Sequence, residues 1–268
     1  MRATAKAQTS KLAVYEYQCT AGPRDRPFTE MHRDYSISYV RRGSFGCVSQ
    51  GRLHELVPGS VLIGRPGLEY MCTHEHHACG DDCLSFKFTP QAVEDLGAHD
   101  EIWRLGAVPP LANIMITGEL AQAVADGRST LAFDEVAYMF AARFIRSVRP
   151  AKAREAKLRQ RDRQRVIDIA RWIEASSHED IDLETTARAA GMSSFHLLRT
   201  FARVLGLTPH QYLIRARLRH AARLLTDEGS TVTQIAGAVG FADLSNFIRT
   251  FGRAAGMSPQ EFRRAARG

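Results

Sequence analysis

The chain has 268 residues, 44% of them hydrophobic, and a formal net charge of +7. All of the basic excess lies in residues 151–268, where Lys and Arg outnumber Asp and Glu by eight. The length suits two domains, and the charge asymmetry suggests a polyanion-binding module joined to something else. No apolar run approaches the roughly 20 residues of a membrane helix, and Met1 to Lys11 lack the apolar stretch of a secretory signal. These features argue against a membrane or exported protein and lead to the expectation of a cytoplasmic one. The five cysteines, an odd number, are accordingly expected to be reduced rather than paired.

Residues 12–90 read as strands and turns. Tyr35 to Val40 alternates apolar and polar residues as a half-buried strand should. Phe45 to Val48, Arg52 to Val57, Ser60 to Ile63 and Cys83 to Phe88 continue the pattern, punctuated by Pro58-Gly59 and Pro66-Gly67. The run LVPGSVLIGRPGLEY resembles the turn-rich segment of the cupin-like barrel found in many bacterial regulators. A cupin metal site usually begins with a closely spaced His pair, whereas His32 is followed by Arg33 and Asp34. Beyond Pro90 the pattern becomes helical, with short helices expected at Gln91 to Leu96 and Gly118 to Gly127. From Phe133 to Val148 the apolar residues recur at three- and four-residue steps, one face of an amphipathic helix that closes the core or pairs with a second subunit. The expected fold is therefore α+β: an N-terminal cupin-like β-barrel with flanking helices, then a C-terminal all-α domain. Residues 1–149 form the sensing and dimerisation domain, 150–161 a polar linker, and 162–268 the all-α domain.

That last domain contains a duplication. Leu183 to Met192 matches Val232 to Phe241 at an offset of 49, and from Ser193 onward the offset is 50 because of the extra turn residue Ala242. Gly191 and Gly240 sit where a helix ends in a sharp turn. Ser193 and Asp243 are N-cap residues of the helix that follows. Gly206 and Gly256 end that helix, and Thr208-Pro209 and Ser258-Pro259 start the next as cap plus Pro. A tight turn followed by a capped second helix is the helix-turn-helix arrangement, whose second helix enters the DNA major groove. The outward residues expected to meet bases and phosphates are Ser194, Phe195, His196, Arg199 and Arg203 in the first copy. In the second they are Leu244, Ser245, Asn246, Arg249 and Arg253. Arg suits guanine edges and phosphates, Asn suits adenine, and apolar groups suit the thymine methyl. Between the copies, Pro209 to Asp227 reads as one helix, a rod about 28 Å long that could set two reading helices near one DNA turn apart.

On Gly240-Phe241, Asp243, Ser245, Phe247, Arg249, Phe251, Gly256, Ser258-Pro259 and Phe262-Arg263, residues 162–268 resemble the DNA-binding domain of the AraC/XylS family of bacterial transcription regulators. The resemblance implies double-stranded promoter DNA and RNA polymerase as partners, transcriptional activation, and an N-terminal domain that senses an effector, forms a homodimer, or both. Gly252 departs from the family, which more often has a basic residue there.

A second cluster, CTHEHHACGDDC from Cys72 to Cys83, packs three Cys and three His into twelve residues. Cys72, His74, His76, His77, Cys79 and Cys83 are candidate ligands for Zn²⁺ or another soft or borderline ion, with Glu75, Asp81 and Asp82 as supporting charges. The same residues admit two other readings: thiol redox sensing by Cys79 and Cys83, and a polar surface loop. A metal-dependent cupin enzyme or an alkyl-accepting DNA-repair regulator built on this cluster is the alternative function. No acid–base set or nucleophile motif in the sequence favours catalysis, so the chain is expected to be a regulator responding to a small molecule, metal or redox signal, and no cofactor is assigned.

Overall fold

The computed structural model describes residues 1–75, 77, 80–148, 159–227 and 229–267. The chain begins with nine strands: β1 (Arg2–Gln8), β2 (Leu12–Cys19), β3 (Thr29–Met31), β4 (Tyr35–Gly43), β5 (Phe45–Ser49), β6 (Arg52–Leu56), β7 (Val61–Gly64), β8 (Glu69–Thr73) and β9 (Asp81–Phe88). Helix α1 (Pro90–Asp95), a 3-10 turn at Asp100–Arg104 and the short β10 (Ala107–Val108) lead to helices α2 (Ala112–Ala125) and α3 (Phe133–Ser147). Seven helices follow: α4 (Gln160–Ser176), α5 (Leu183–Ala189), α6 (Ser194–Leu205), α7 (Pro209–Thr226), α8 (Val232–Ala238), α9 (Leu244–Ala255) and α10 (Pro259–Arg267).

The strands form two antiparallel sheets, ordered β1-β2-β9-β4-β7-β10 and β3-β8-β5-β6. This corrects the expected barrel: no ladder among the described residues joins the two sheets, so neither is closed. The chain passes from one sheet to the other between β2 and β3, β3 and β4, β4 and β5, β6 and β7, β7 and β8, and β8 and β9, which keeps them stacked without hydrogen-bonding their edges together. At the β4–β5 crossing Gly43 has φ +70°, and a Cβ there would lie 2.0 Å from the Gly80 carbonyl oxygen, so only glycine lets the two segments approach.

The six-stranded sheet is covered on both faces. Val14, Ile37, Tyr39, Leu84 and Phe86 point toward α2 and α3 and form the main core with them, with Phe86 stacked on Phe140 at 4.9 Å. The alternate residues Ser36, Ser38 and Ser85 are buried as well. They do not face solvent, as strand alternation would suggest, but line a cavity between the sheets, where the Ser38 hydroxyl donates to Ser85 at 2.8 Å. The apolar stripe of α3 (Val136, Ala137, Phe140, Ala141, Phe144) is thus used within the chain.

Helix α2 begins six residues before the expected Gly118. Residues Ile114 to Val124 are all buried, so the helix has no polar face and gives no 3.6-residue signal. β1 was also invisible in the sequence. It is largely exposed and held by its ladder with β2, with the Lys6–Glu16 ion pair at 2.9 Å beside it. Most of the expected linker lies outside the described residues, but Gln160 and Arg161, assigned to it, already belong to α4.

Helix α7 is the axis of the C-terminal half. Its 18 residues span about 27 Å, and Thr208 opens it with a capping box in which Gln211 completes the reciprocal bond. The two halves of the chain do not hang apart on a tether. Core residues of α2 and α3 are continuous with Leu218, Ala221, Leu225, Phe247 and Phe251. At the centre of this contact the buried Glu119 carboxylate accepts from Tyr39 Oη at 2.9 Å and from Arg223 Nε at 3.1 Å. Arg219, also buried, lies 4.0 Å from Glu119, bonds Glu174, and donates to the Arg41 carbonyl at 2.7 Å. Burial alone would raise the Glu119 pKa, but the Arg223 and Arg219 charges and the Tyr39 hydrogen bond outweigh it and hold the carboxyl below its ordinary 4.5.

Candidate nucleic-acid interface

Each copy of the repeat folds as a short helix, a turn and a longer helix. In the first, α5 ends at a turn where Gly191 has φ +59°; in the second, α8 ends where Gly240 has φ +90°. Ser193 Oγ then accepts from the His196 amide, and Asp243 accepts from both the Ser245 and Asn246 amides, so each long helix starts on a satisfied cap. Both end on a left-handed glycine, Gly206 at φ +73° and Gly256 at φ +77°. Inward residues Leu197, Phe201 and Leu205 on α6, and Phe247, Phe251 and Ala255 on α9, are buried. This fixes the rotation of each helix and therefore which residues face outward.

The outward set is close to the expected one. Phe195, Arg199 and Arg203 are exposed on α6, as are Ser245, Asn246, Arg249 and Arg253 on α9. The Arg199 guanidinium lies 5.9 Å from the Phe195 ring centroid, and Arg249 Nη2 donates to Asn246 Oδ1 at 3.2 Å. Each arginine is therefore poised against the residue one turn before it. Three assignments fit less well. Ser194 is half-buried. His196 turns toward α4, its Nε2 3.8 Å from Asp162 Oδ1, and Leu244 packs against the core. Ile248, 40% exposed, was missed. Its signal was present: an apolar residue standing off the buried stripe of Phe247 and Phe251. The N-terminal half meets the far ends of these helices, with Pro109 beside Gly206 and Arg143 beside Gly256, and leaves the N-terminal turns that would meet bases uncovered.

The Cys/His loop is arranged differently from its sequence expectation. The six residues singled out there do not converge among the described residues; His76 and Cys79 lie outside the description. Cys72 pairs across β8 and β5 with Cys47. The hydrogen bond with Cys47, and burial, push the Cys72 thiol far above its usual pKa. Burial and the neighbouring Asp81 charge likewise hold the Cys83 thiol well above its usual range. Both shifts favour the protonated thiol over the reactive thiolate at these two positions. His77 is enclosed, with Nδ1 2.9 Å from Ser44 Oγ and Nε2 3.1 Å from Glu55 Oε2. Among the described residues of the set, His74 is the member that joins a three-ligand group, with Cys19 and Asp81, the first of which the sequence did not suggest.

Beside these groups lies the cavity between the sheets, about 980 Å³, lined by Ser36, Ser38, Ser85, Tyr17, Lys87 and His32 among others. Lys87 Nζ is 3.0 Å from Asp34 and 5.0 Å from the Tyr15 ring centroid. The His32 ring stacks on Tyr70 at 4.1 Å, and burial, with the Lys87 charge, lowers its pKa to about 4. The lining thus combines polar groups with aromatic and apolar ones, Phe45 and Leu62 among them, the mixture found in ligand pockets.

Two capped helices with exposed arginines, carried at either end of α7, define a double helix-turn-helix DNA-binding protein. The known proteins agree. The family described as helix-turn-helix domain matches residues 186–265. The HTH-type transcriptional activator RhaS of Enterobacter sp. (strain 638) is 28% identical over 253 residues, which covers 88% of this chain and 87% of that protein. Two solved structures are similar over the C-terminal part. The DNA-binding domain of AdpA, in complex with a target DNA, is 34% identical over 37% of this chain and 90% of its own, with TM-score 0.36. A probable AraC family transcriptional regulator from Rhodopseudomonas palustris CGA009 is 33% identical over 39% and 98% respectively, with TM-score 0.37. The chain belongs to the AraC/XylS family of transcription regulators.

Proposed function

We propose that the protein is a one-component transcription activator in which the N-terminal sandwich senses an effector and the two reading helices bind promoter DNA. The observation that carries the DNA reading is the pair of exposed arginines four residues apart on each capped helix: Arg199 and Arg203 on α6, Arg249 and Arg253 on α9. Arg199 and Arg249 reach base edges with Phe195, Ser245, Asn246 and Ile248, while Arg203 and Arg253, further along each helix, hold phosphates. With α7 between them, the helices enter successive major-groove segments on one face of the duplex.

Effector binding in the cavity acts on the DNA-binding half through the shared core and the Glu119 network, which join α2 directly to α7. Activation follows from contact with RNA polymerase, in keeping with the relatives' description as activators. A homodimer would use a surface other than the buried α3 stripe. The reading places the protein in the cytoplasm, and no described helix is long and apolar enough to cross a membrane. It assigns no catalytic residues, in keeping with the relatives' description as transcription regulators.

Selection of binding sites from random duplexes by the full chain, followed by footprinting, tests this reading. The expected footprint has two protected major-groove segments about 10 base pairs apart. Arg199→Ala relaxes one segment and Arg249→Ala the other, and affinity falls steeply with salt. Unchanged sequence preference in both variants would overturn the assignment of the reading helices.

A further inference from the structure

At the end of the sandwich where β8 crosses to β9, three metal-ligand types from three separate parts of the chain come together. Cys19 is the last residue of β2, Asp81 the first of β9, and the two are direct partners in the β2–β9 ladder. His74 follows β8 immediately, arriving from the other sheet. His74 Nε2 lies 3.9 Å from Cys19 Sγ and 3.3 Å from Asp81 Oδ2, and the three donor atoms all fall within 4.8 Å of one another. At ordinary Zn–S, Zn–N and Zn–O lengths, tetrahedral ligand atoms sit roughly 3.3–3.6 Å apart. The histidine–carboxylate spacing already matches, the cysteine–histidine spacing of 3.9 Å exceeds the range by a few tenths of an ångström, and the cysteine–carboxylate spacing stays within 4.8 Å.

We propose that Cys19, His74 and Asp81 form a binding site for a borderline divalent cation of the Zn²⁺ type, with a fourth coordination position open to the cavity between the sheets. The donor set suits that class: one thiolate, one imidazole and one carboxylate are the ligands such an ion takes. Thiolate and carboxylate together neutralise the dication at a place where His74 and Asp81 are both 8% exposed. The groups are also held from behind. Asp81 Oδ1 receives the Cys83 thiol at 3.8 Å, leaving Oδ2 to the site. The His77 amide donates to the His74 carbonyl at 3.1 Å, while its own ring is pinned by Ser44 and Glu55. Supporting bonds of this kind orient ligands before the ion arrives. The same three residues line the cavity, so water or a donor atom of a bound effector completes the tetrahedron. Because the ligands come from both sheets, the ion fastens the sandwich at the end where β8 crosses to β9.

The site is independent of the DNA-binding reading, and its test uses no DNA. The full chain, reduced and freed of metal, is titrated with Co²⁺ and followed by absorption. One equivalent is expected to bind, with visible bands of a four-coordinate ion and a near-ultraviolet thiolate-to-cobalt band. Cys19→Ser should remove the thiolate band and weaken binding by about tenfold or more, as should His74→Ala for affinity. Cys72→Ser should leave both band and affinity intact. Circular dichroism of each metal-free variant checks its folding, and Cys19→Asp, which keeps a ligand, should recover affinity without the thiolate band. No stoichiometric binding, a thiolate band that survives in Cys19→Ser, or a band lost in Cys72→Ser would each overturn the proposal.

Discussion

The two helix-turn-helix copies share a local code and differ in what they rest on. In the first, α6 packs with α4, α5 and the start of α7 around Phe201, Leu197 and Tyr212, a core that takes in Val57 from the N-terminal half. In the second, α9 has no separate core. Phe247 and Phe251 are continuous with α2, α3 and the six-stranded sheet. The faces differ as well: position 196 is a histidine turned toward Asp162, whereas its counterpart Asn246 is exposed and holds Arg249. The half-buried Leu198 is matched by the exposed Ile248. Duplicated sequence thus secures two similar reading helices, while their neighbours decide how each is coupled. The second copy, sharing a core with α2, is the one a change in the N-terminal sandwich reaches most directly.

The largest test of that asymmetry is Glu119→Ala. Removing the carboxylate strands Arg223 and leaves Arg219 with fewer partners, and breaking a buried pair in this way costs about 3–5 kcal/mol. Urea unfolding should show this loss, with hydrogen exchange rising in α7 and α9 before α6; equal loosening of both copies would break the comparison. The same group sets an acid dependence. Its folded pKa is below the ordinary 4.5, so its contribution is complete above the unfolded value and is lost as pH falls through the folded one. Stability measured against pH should therefore fall more steeply below 4.5 in the wild type than in Glu119→Gln.

A smaller effect is expected at the reading faces. Arg199→Ala and Arg249→Ala should each cost about 1–3 kcal/mol of specific binding, measured by titration on a selected site, and relax preference at different base pairs. Identical changes in preference would mean that the copies do not read separate segments. Smallest are the caps. Asp243 satisfies two amides and Ser193 one, so Asp243→Ala should lower the melting temperature more than Ser193→Ala, each by an amount equivalent to about 1 kcal/mol.

Much of the reading domain was legible because it is local. Caps, turn glycines and Pro at the first helical position act within four residues, and they located both α6 and α9. The inward Phe pair then fixed the outward arginines. His196 and Leu244 are more covered than expected because helical periodicity gives a residue's angle on its helix but not which neighbour covers it. In the N-terminal half, alternation found β4 and β9 but took Ser36 and Ser38 for a solvent face. A sheet covered on both sides hides its polar residues in a cavity, and the sequence pattern is the same in either case.

The Cys/His cluster shows the limit most clearly. Density of ligand types along the chain pointed to Cys72 through Cys83, yet strand pairing sends Cys72 to Cys47 and burial sends His77 to Glu55. Among the described residues of the cluster, His74 is the one that enters a three-ligand group, joined by a cysteine more than fifty residues away. By itself the sequence determined the duplicated helices, their caps and their basic outward faces, since those depend on contacts a few residues apart. The tertiary structure alone decided that the sandwich stays open, that α2 lies buried against α7 around Glu119, and that Cys19 meets His74 and Asp81. Each of these depends on strand register and on packing between distant segments, which no local pattern encodes.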